Sequence, residues 1–100
     1  MKLLQGLFLR FVKLHILFHA GKAPVYGVWL IEELKRHGYR LSPGTLYPIL
    51  HSLEEEKLLK VESRVVGGKV RKYYSLTARG KAEFAEAKAK ALELIAEINE

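Results

Sequence analysis

The chain has 100 residues, enough for one domain with a single modest core, and its 49% apolar and 28% charged residues read as globular rather than disordered. It contains no cysteine, which excludes disulfides and thiol chemistry and makes a reducing cytoplasm the expected location. Basic residues outnumber acidic ones by 17 to 11, a net charge of +6, which points to an anionic partner, nucleic acid before a membrane surface.

The first predicted element is a helix over about residues 3–19, strongly apolar from Leu3 to Phe18 and closed by Gly21-Lys22-Ala23-Pro24. Arg10 and Lys13 interrupt the apolar run, and 3–18 falls short of the ~20 residues that cross a bilayer, so no membrane partner is expected. His19-Ala20-Gly21-Lys22 is a poor match to a signal-peptide cleavage site. One core face cannot cover this much apolar surface, so Leu4, Leu7, Phe8 and Phe11 are expected at a contact with a second chain. His15 and His19 stand i and i+4, a spacing that suits two metal ligands; no third ligand is evident, so they read as ordinary helix histidines and no metal is assigned.

A second helix is predicted at about 25–37, with Tyr26, Leu30 and Leu34 recurring every four residues and Gly38 placed for the left-handed residue that ends it. Trp29 lies roughly 100° from the Leu30 stripe. That places it either edge-packed on a neighbouring helix or partly exposed, at a dimer seam or against a small effector.

The stretch Ser42-Pro43-Gly44-Thr45-Leu46-Tyr47-Pro48-Ile49-Leu50 carries helix spacing and helix breakers together. As a helix start over about 43–56 most of the conflict disappears. Ser42 serves as N-cap, Pro43 at the first position loses no hydrogen bond, and the amides of Gly44 and Thr45 are expected to stay bare for a phosphate. Pro48 removes an amide that would have met the carbonyl of Gly44, at a usual cost of ~3 kcal/mol, and backbone latitude at Gly44 is expected to relieve the strain. Leu46, Ile49, Leu50 and Leu53 fall on one side; Gly44, Pro48, His51 and in part Tyr47 fall on the other. No carboxylate appears between Ser42 and Leu53, as a helix entering the major groove by its N-terminal half requires.

Two strands, about 59–66 and 70–76, flank Gly67-Gly68, a signal for a two-residue hairpin turn. Arg64, Lys69, Arg71 and Lys72 surround its tip. Thr77 caps a last helix at about 78–98. There Phe84, Ala87, Ala91, Leu94 and Ile98, with Ile95 beside them, form a coiled-coil-like seam suited to a homodimer.

The order helix, helix, short turn, helix, hairpin is that of a winged helix-turn-helix, a mainly α, α+β fold with a long C-terminal dimerisation helix. Residues 1–77 form the expected DNA-binding unit and 78–100 the dimerisation helix, within one compact domain. The lack of a cysteine nucleophile and of a Gly-rich phosphate loop argues against an enzyme. The rival reading is a winged helix that docks another protein and binds no DNA; the basic and neutral surfaces at 42–53 and 63–76 favour DNA.

The segments Tyr26-Gly27, Ser42 to Pro48, Leu53-Glu54, Arg71-Lys72-Tyr73-Tyr74 and Leu76-Thr77 resemble, in register, the PadR-type transcriptional regulators over about residues 8–81. The resemblance implies a dimeric DNA-binding regulator, usually a repressor, with helix 43–56 in the major groove of a double-stranded operator and the 66–71 wing on the backbone or minor groove. Carried over, Ser42, Gly44, Thr45, Tyr47 and Pro48 lie at the groove and Lys69 and Arg71 on phosphates; Pro43 and His51 on the same helix and Arg64 and Lys72 near the wing tip are expected at the DNA beside them. Some such regulators answer to small aromatic or lipophilic effectors; no cofactor is implied. Two departures stand out. Lys57 occupies a position usually held by glycine, so the third helix is expected to end differently, and Val28 and Trp29 replace the more usual glutamate and tyrosine.

Overall fold

A computed structural model describes residues 2–100. These residues form four helices, α1 (Lys2–Lys22), α2 (Gly27–Arg36), α3 (Pro43–Glu55) and α4 (Ala78–Ile98), and one antiparallel hairpin, β1 (Leu59–Val66) and β2 (Lys69–Leu76). The hairpin runs in register from Leu59 opposite Leu76 to Val66 opposite Lys69. Gly67 and Gly68 both take positive φ, 58° and 78°, the type I′ geometry that matches the twist of the flanking strands. The loop before α2 adds a contact that periodicity does not announce. Val25 and Tyr74 exchange both backbone hydrogen bonds, at 2.9 and 2.7 Å, forming a one-residue bridge onto β2.

The core is built where the helical stripes converge. Val12 and Ile16 of α1, Leu30 and Leu34 of α2, and Leu46, Leu50 and Leu53 of α3 are buried together with Leu59 and Tyr74 of the hairpin. Burying an aliphatic side chain of this size stabilises by about 1.5–3 kcal/mol, so this small cluster supplies most of the drive to fold. Tyr26, assigned above to the α2 stripe, stands instead at the N-cap, half-buried, because the chain is still extended there.

α1 is longer than expected. It runs through Gly21 to Lys22, 21 residues, long and apolar enough by length and composition to cross a membrane, although the apolar run alone is not. In the fold it buries Val12, Ile16, Leu17 and Ala20 against the other elements. Leu4, Leu7, Phe8 and Phe11 remain exposed, as do Leu94, Ile95 and Ile98 on α4. Phe84 is half-buried and stacks on Phe18 of α1 at 6.2 Å, and Ala87 and Ala91 are half-buried beyond it. Phe8 also meets Tyr39 edge-on at 4.8 Å.

α2 and α3 end alike. After α2 the amide of Gly38 (φ 89°) donates to the Lys35 carbonyl and that of Tyr39 to the Leu34 carbonyl. After α3 the amide of Lys57 donates to Glu54 and that of Leu58 to Leu53. Both are Schellman closures, and in the second the residues that the closing bond joins, Leu53 and Leu58, are both buried. The departure at Lys57 therefore does not change how α3 closes; Lys57 itself adopts the left-handed backbone, φ 66°, that glycine would take.

α4 starts at Thr77, whose Oγ1 accepts from the Gly80 amide at 2.9 Å. The same hydroxyl donates to the carbonyl of Lys57 at 2.6 Å, with that of Leu58 at 3.1 Å. One side chain thus ties the last helix to the end of α3.

Candidate nucleic-acid interface

α3 presents two unlike sides. Leu46, Ile49, Leu50 and Leu53 are buried, while Pro43, Gly44, Thr45, Tyr47, Pro48 and His51 are exposed beside the exposed N-cap Ser42. Ser42 has the extended backbone of an N-cap, but its side chain makes no capping bond to an amide; its Oγ donates to Thr45 Oγ1 at 3.3 Å. The Ser42 carbonyl accepts from the amides of Thr45 (3.1 Å) and Leu46 (2.9 Å). Of the two amides expected bare, Thr45 is therefore engaged, because the first turn tightens, and only Gly44 stays open.

Gly44 does not use glycine's conformational freedom. Its φ is not positive, and an added Cβ would meet nothing nearer than Ser42 Oγ at 3.8 Å, an ordinary contact. The helix continues through Pro48 without a left-handed residue at 44, so the expected relief of strain by backbone latitude is not what the chain shows. Two residues that weaken a helix, by ~0.5–1 kcal/mol for glycine and more for proline, thus face solvent.

Gly27, in contrast, is required by contact. An added Cβ would overlap the Tyr47 hydroxyl, so the absence of a side chain at the start of α2 lets Tyr47 lie across it. His51 points outward, Nε2 at 3.2 Å from Glu55 Oε1 one turn on.

The wing adds charge held on aromatic rings. Arg64, Lys69 and Arg71 share one face of the hairpin, with Arg64 directly opposite Arg71. Lys72 pairs with Ser63 on the other face, so the four cations do not form one cluster, although Lys72 reaches the rim of the same groove. The Arg71 guanidinium lies 4.0 Å above the ring of Tyr26 and donates to the Tyr73 hydroxyl at 3.4 Å, a bond that raises its pKa further above the ordinary arginine value. Arg64 lies 4.5 Å above Tyr73 and meets Glu62 at 3.1 Å; Tyr26 and Tyr73 meet edge-on at 5.5 Å. Like charges facing each other across a hairpin are unfavourable, and stacking on aromatic faces is what holds these two in place. Spacing along the chain put Tyr26 on the α2 stripe and said nothing of its meeting with Arg71; Tyr73 follows the two cations Arg71 and Lys72, and the fold brings both rings under the arginines. Between wing, α2 and α3 runs an open groove of about 520 Å³, lined by Tyr26, Gly27, Tyr47, Lys69 and Arg71 among others.

Residues 16–86 match the transcriptional regulator PadR-like family. The chain belongs to the PadR-like family. The transcriptional regulator Rv3488 of Mycobacterium tuberculosis (strain ATCC 25618 / H37Rv) is 52% identical over 87 residues, covering 87% of this chain and 81% of that one. A PadR-like transcription factor from Bacteroides fragilis superposes with a TM-score of 0.85 at 30% identity, over 99% of this chain and 97% of the other. A PadR family regulator from Eggerthella lenta DSM 2243 gives 0.83 at 30%, over 98% and 87%. As a PadR-like protein this chain is a DNA-binding transcriptional regulator with a winged helix fold and not an enzyme.

Trp29 sits apart from that face. It is 39% exposed, meets the His19 ring edge-on at 5.4 Å, and lines a cavity of about 380 Å³ with Pro24 and Tyr26. The indole is edge-packed on α1 and still open to solvent.

Proposed function

We propose that this PadR-like protein is a homodimeric, cytoplasmic repressor. The N-terminal half of α3 reads the major groove of a double-stranded operator, and the wing tracks the backbone or the adjacent minor groove. The observation that carries the reading is Gly44 and Pro48: both weaken α3, both face outward, and at Gly44 a side chain would meet nothing nearer than Ser42 Oγ. A phosphate or base edge approaching the backbone at Gly44 needs the room a side chain would fill. Ser42, Pro43, Thr45, Tyr47 and His51 share that side, and Arg64, Lys69, Arg71 and Lys72 supply phosphate contacts.

Dimerisation through α1 and α4 is supported by the exposed apolar sides at Leu4, Leu7, Phe8 and Phe11 and at Leu94, Ile95 and Ile98, continued by the half-buried Phe84, Ala87 and Ala91. In this division residues 1–77 form the DNA-binding unit and 78–100 the dimerisation helix, with α1 lending its exposed side to the pairing, because reading two half-sites requires two wings in fixed relation. The Trp29 cavity is the proposed place for a small aromatic effector, and quenching of Trp29 fluorescence by such compounds tests it.

The deciding experiment is binding to the duplex upstream of the protein's own gene as salt is varied. Log affinity falls with log salt at about −0.9 per phosphate contacted. Lys69→Ala weakens all sequences alike and flattens the slope by about one contact, whereas Thr45→Ala removes operator preference. A slope near zero, or no binding to duplex DNA, overturns the reading.

A further inference from the structure

Away from the DNA face, two helices bring together residues that the sequence leaves far apart. His15 and His19 project from α1 toward His37 at the end of α2, and one ring nitrogen from each lies within 4.8 Å of the others. Glu33, one turn before His37, completes the group. Its side chain is only 12% exposed, and its Oε2 stands 3.0 Å from His37 Nε2 and 3.5 Å from His19 Nε2. The arrangement is a pair at i, i+4 on α1 facing a pair at i, i+4 on α2.

Those distances carry the argument. Two donors bound to one tetrahedral zinc ion, each at about 2.0–2.1 Å, lie roughly 3.3 Å apart. The Glu33–His37 and Glu33–His19 separations already bracket that value. His15, its ring 4.6 Å from that of His37, has a ring nitrogen within 4.8 Å of one on each of the other two histidines. Arg36 Nη1 donates to Glu33 Oε1 at 3.1 Å, which orients the carboxylate and leaves Oε2 turned to the imidazoles, as an outer-shell partner of a metal ligand does. Tyr39 packs 5.3 Å from the His15 ring and Trp29 5.4 Å from that of His19, walling the group on two sides.

We infer that His15, His19, His37 and Glu33 form a tetrahedral site for a divalent transition-metal ion of the zinc class. Three imidazoles and one carboxylate in tetrahedral array suit Zn²⁺ or Co²⁺; Mg²⁺ and Ca²⁺ prefer oxygen ligands alone. An ion here joins α1, which carries part of the proposed dimer seam, to α2 of the helix-turn-helix.

The test uses the full-length, untagged protein stripped with chelator and titrated with Co²⁺. Visible absorption of tetrahedral Co²⁺ saturates at one ion per chain, is bleached by Zn²⁺ and is unaffected by excess Mg²⁺. His15→Gln and His37→Gln each weaken binding at least tenfold, and the double substitution abolishes it. His51→Gln, on the DNA face, binds as the natural chain does. Thermal melts in chelator establish that the variants fold, and Zn²⁺ raises the midpoint of the natural chain but not of the double variant. No saturable Co²⁺ spectrum, or binding that survives the double substitution, overturns the inference.

Discussion

The hydroxyl of Tyr47, on the outward side of α3, lies against the backbone of Gly27 at the start of α2, leaving no room for a Cβ at that glycine. The two positions therefore depend on each other although 20 residues separate them. Gly27→Ala forces the Tyr47 ring to swing toward the DNA side. Because Tyr47 is exposed, the swing costs little stability, under about 1 kcal/mol, the range of ordinary surface substitutions. Operator affinity falls about tenfold. In the Gly27→Ala/Tyr47→Ala double variant the alanine at 27 costs nothing further, which a double-mutant cycle of DNA affinities measures. Strict additivity contradicts the coupling.

Lys57 offers a gain in stability. A residue with a Cβ in the left-handed region carries a penalty of roughly 1–2 kcal/mol, partly offset by the entropy glycine loses on folding. Lys57→Gly therefore stabilises the protein by about 0.5–1 kcal/mol, read from the denaturant midpoint at constant m-value. The closing bonds to Glu54 and Leu53 are made by backbone amides and survive the change.

Thr77 is the costliest polar side chain to remove at this junction. Thr77→Ala deletes the acceptor for the Gly80 amide and the donor to the Lys57 and Leu58 carbonyls. Loss of an N-cap alone costs about 0.5–2 kcal/mol. Thr77→Ser keeps both roles and recovers most of the loss, whereas Thr77→Val, which keeps the shape, does not. Urea denaturation of the three variants checks the order.

Acid destabilises the metal-free protein in two stages. Burial lowers the His15 imidazole below its ordinary 6.5, helped by the charges of His37 and His19. Burial lowers His19 too, against the opposing pull of Glu33, with His37 and Lys22 adding to the lowering. At Glu33 burial pushes the carboxyl up, but the His37 hydrogen bond and the charges of Arg36, His19 and His37 outweigh it, and the group lies below its ordinary 4.5. In all three the unfolded chain takes up protons at a higher pH than the folded one, so stability rises with pH across each window. It falls first as pH drops below about 6.5 and again below about 4.5. Denaturant midpoints in chelator trace both stages. His15→Gln/His19→Gln flattens the first, and a first stage that persists in that variant contradicts the assignment.

What was readable in the sequence is what local chemistry decides. The two strands, the Gly67-Gly68 turn, the Thr77 cap and the buried side of α3 depend on residues within a turn or two of each other, and each lies where periodicity predicts. What spacing missed depends on the exact geometry of a turn or on a distant partner. The engaged amide of Thr45 reflects a tightened first turn that no residue type announces. Arg71 finds Tyr26 across 45 positions, and His37 meets His15 and His19 only because α1 and α2 pack together. Spacing along one helix reveals half of such a cluster; tertiary packing supplies the other half.

The paired backbone bonds between Val25 and Tyr74 also set the mechanics of the wing. They pin β2 to the segment that feeds α2, while the strand runs on from Tyr74 out to Lys69. At ~3.4 Å per residue that overhang measures ~17 Å. The hairpin is thus a cantilever whose fulcrum belongs to the helix-turn-helix. A tilt of ~10° at the fulcrum sweeps the tip by ~3 Å over that length, about one nucleotide step along a DNA strand. A disturbance small enough to leave the core intact is therefore magnified where Lys69 would seek its phosphate.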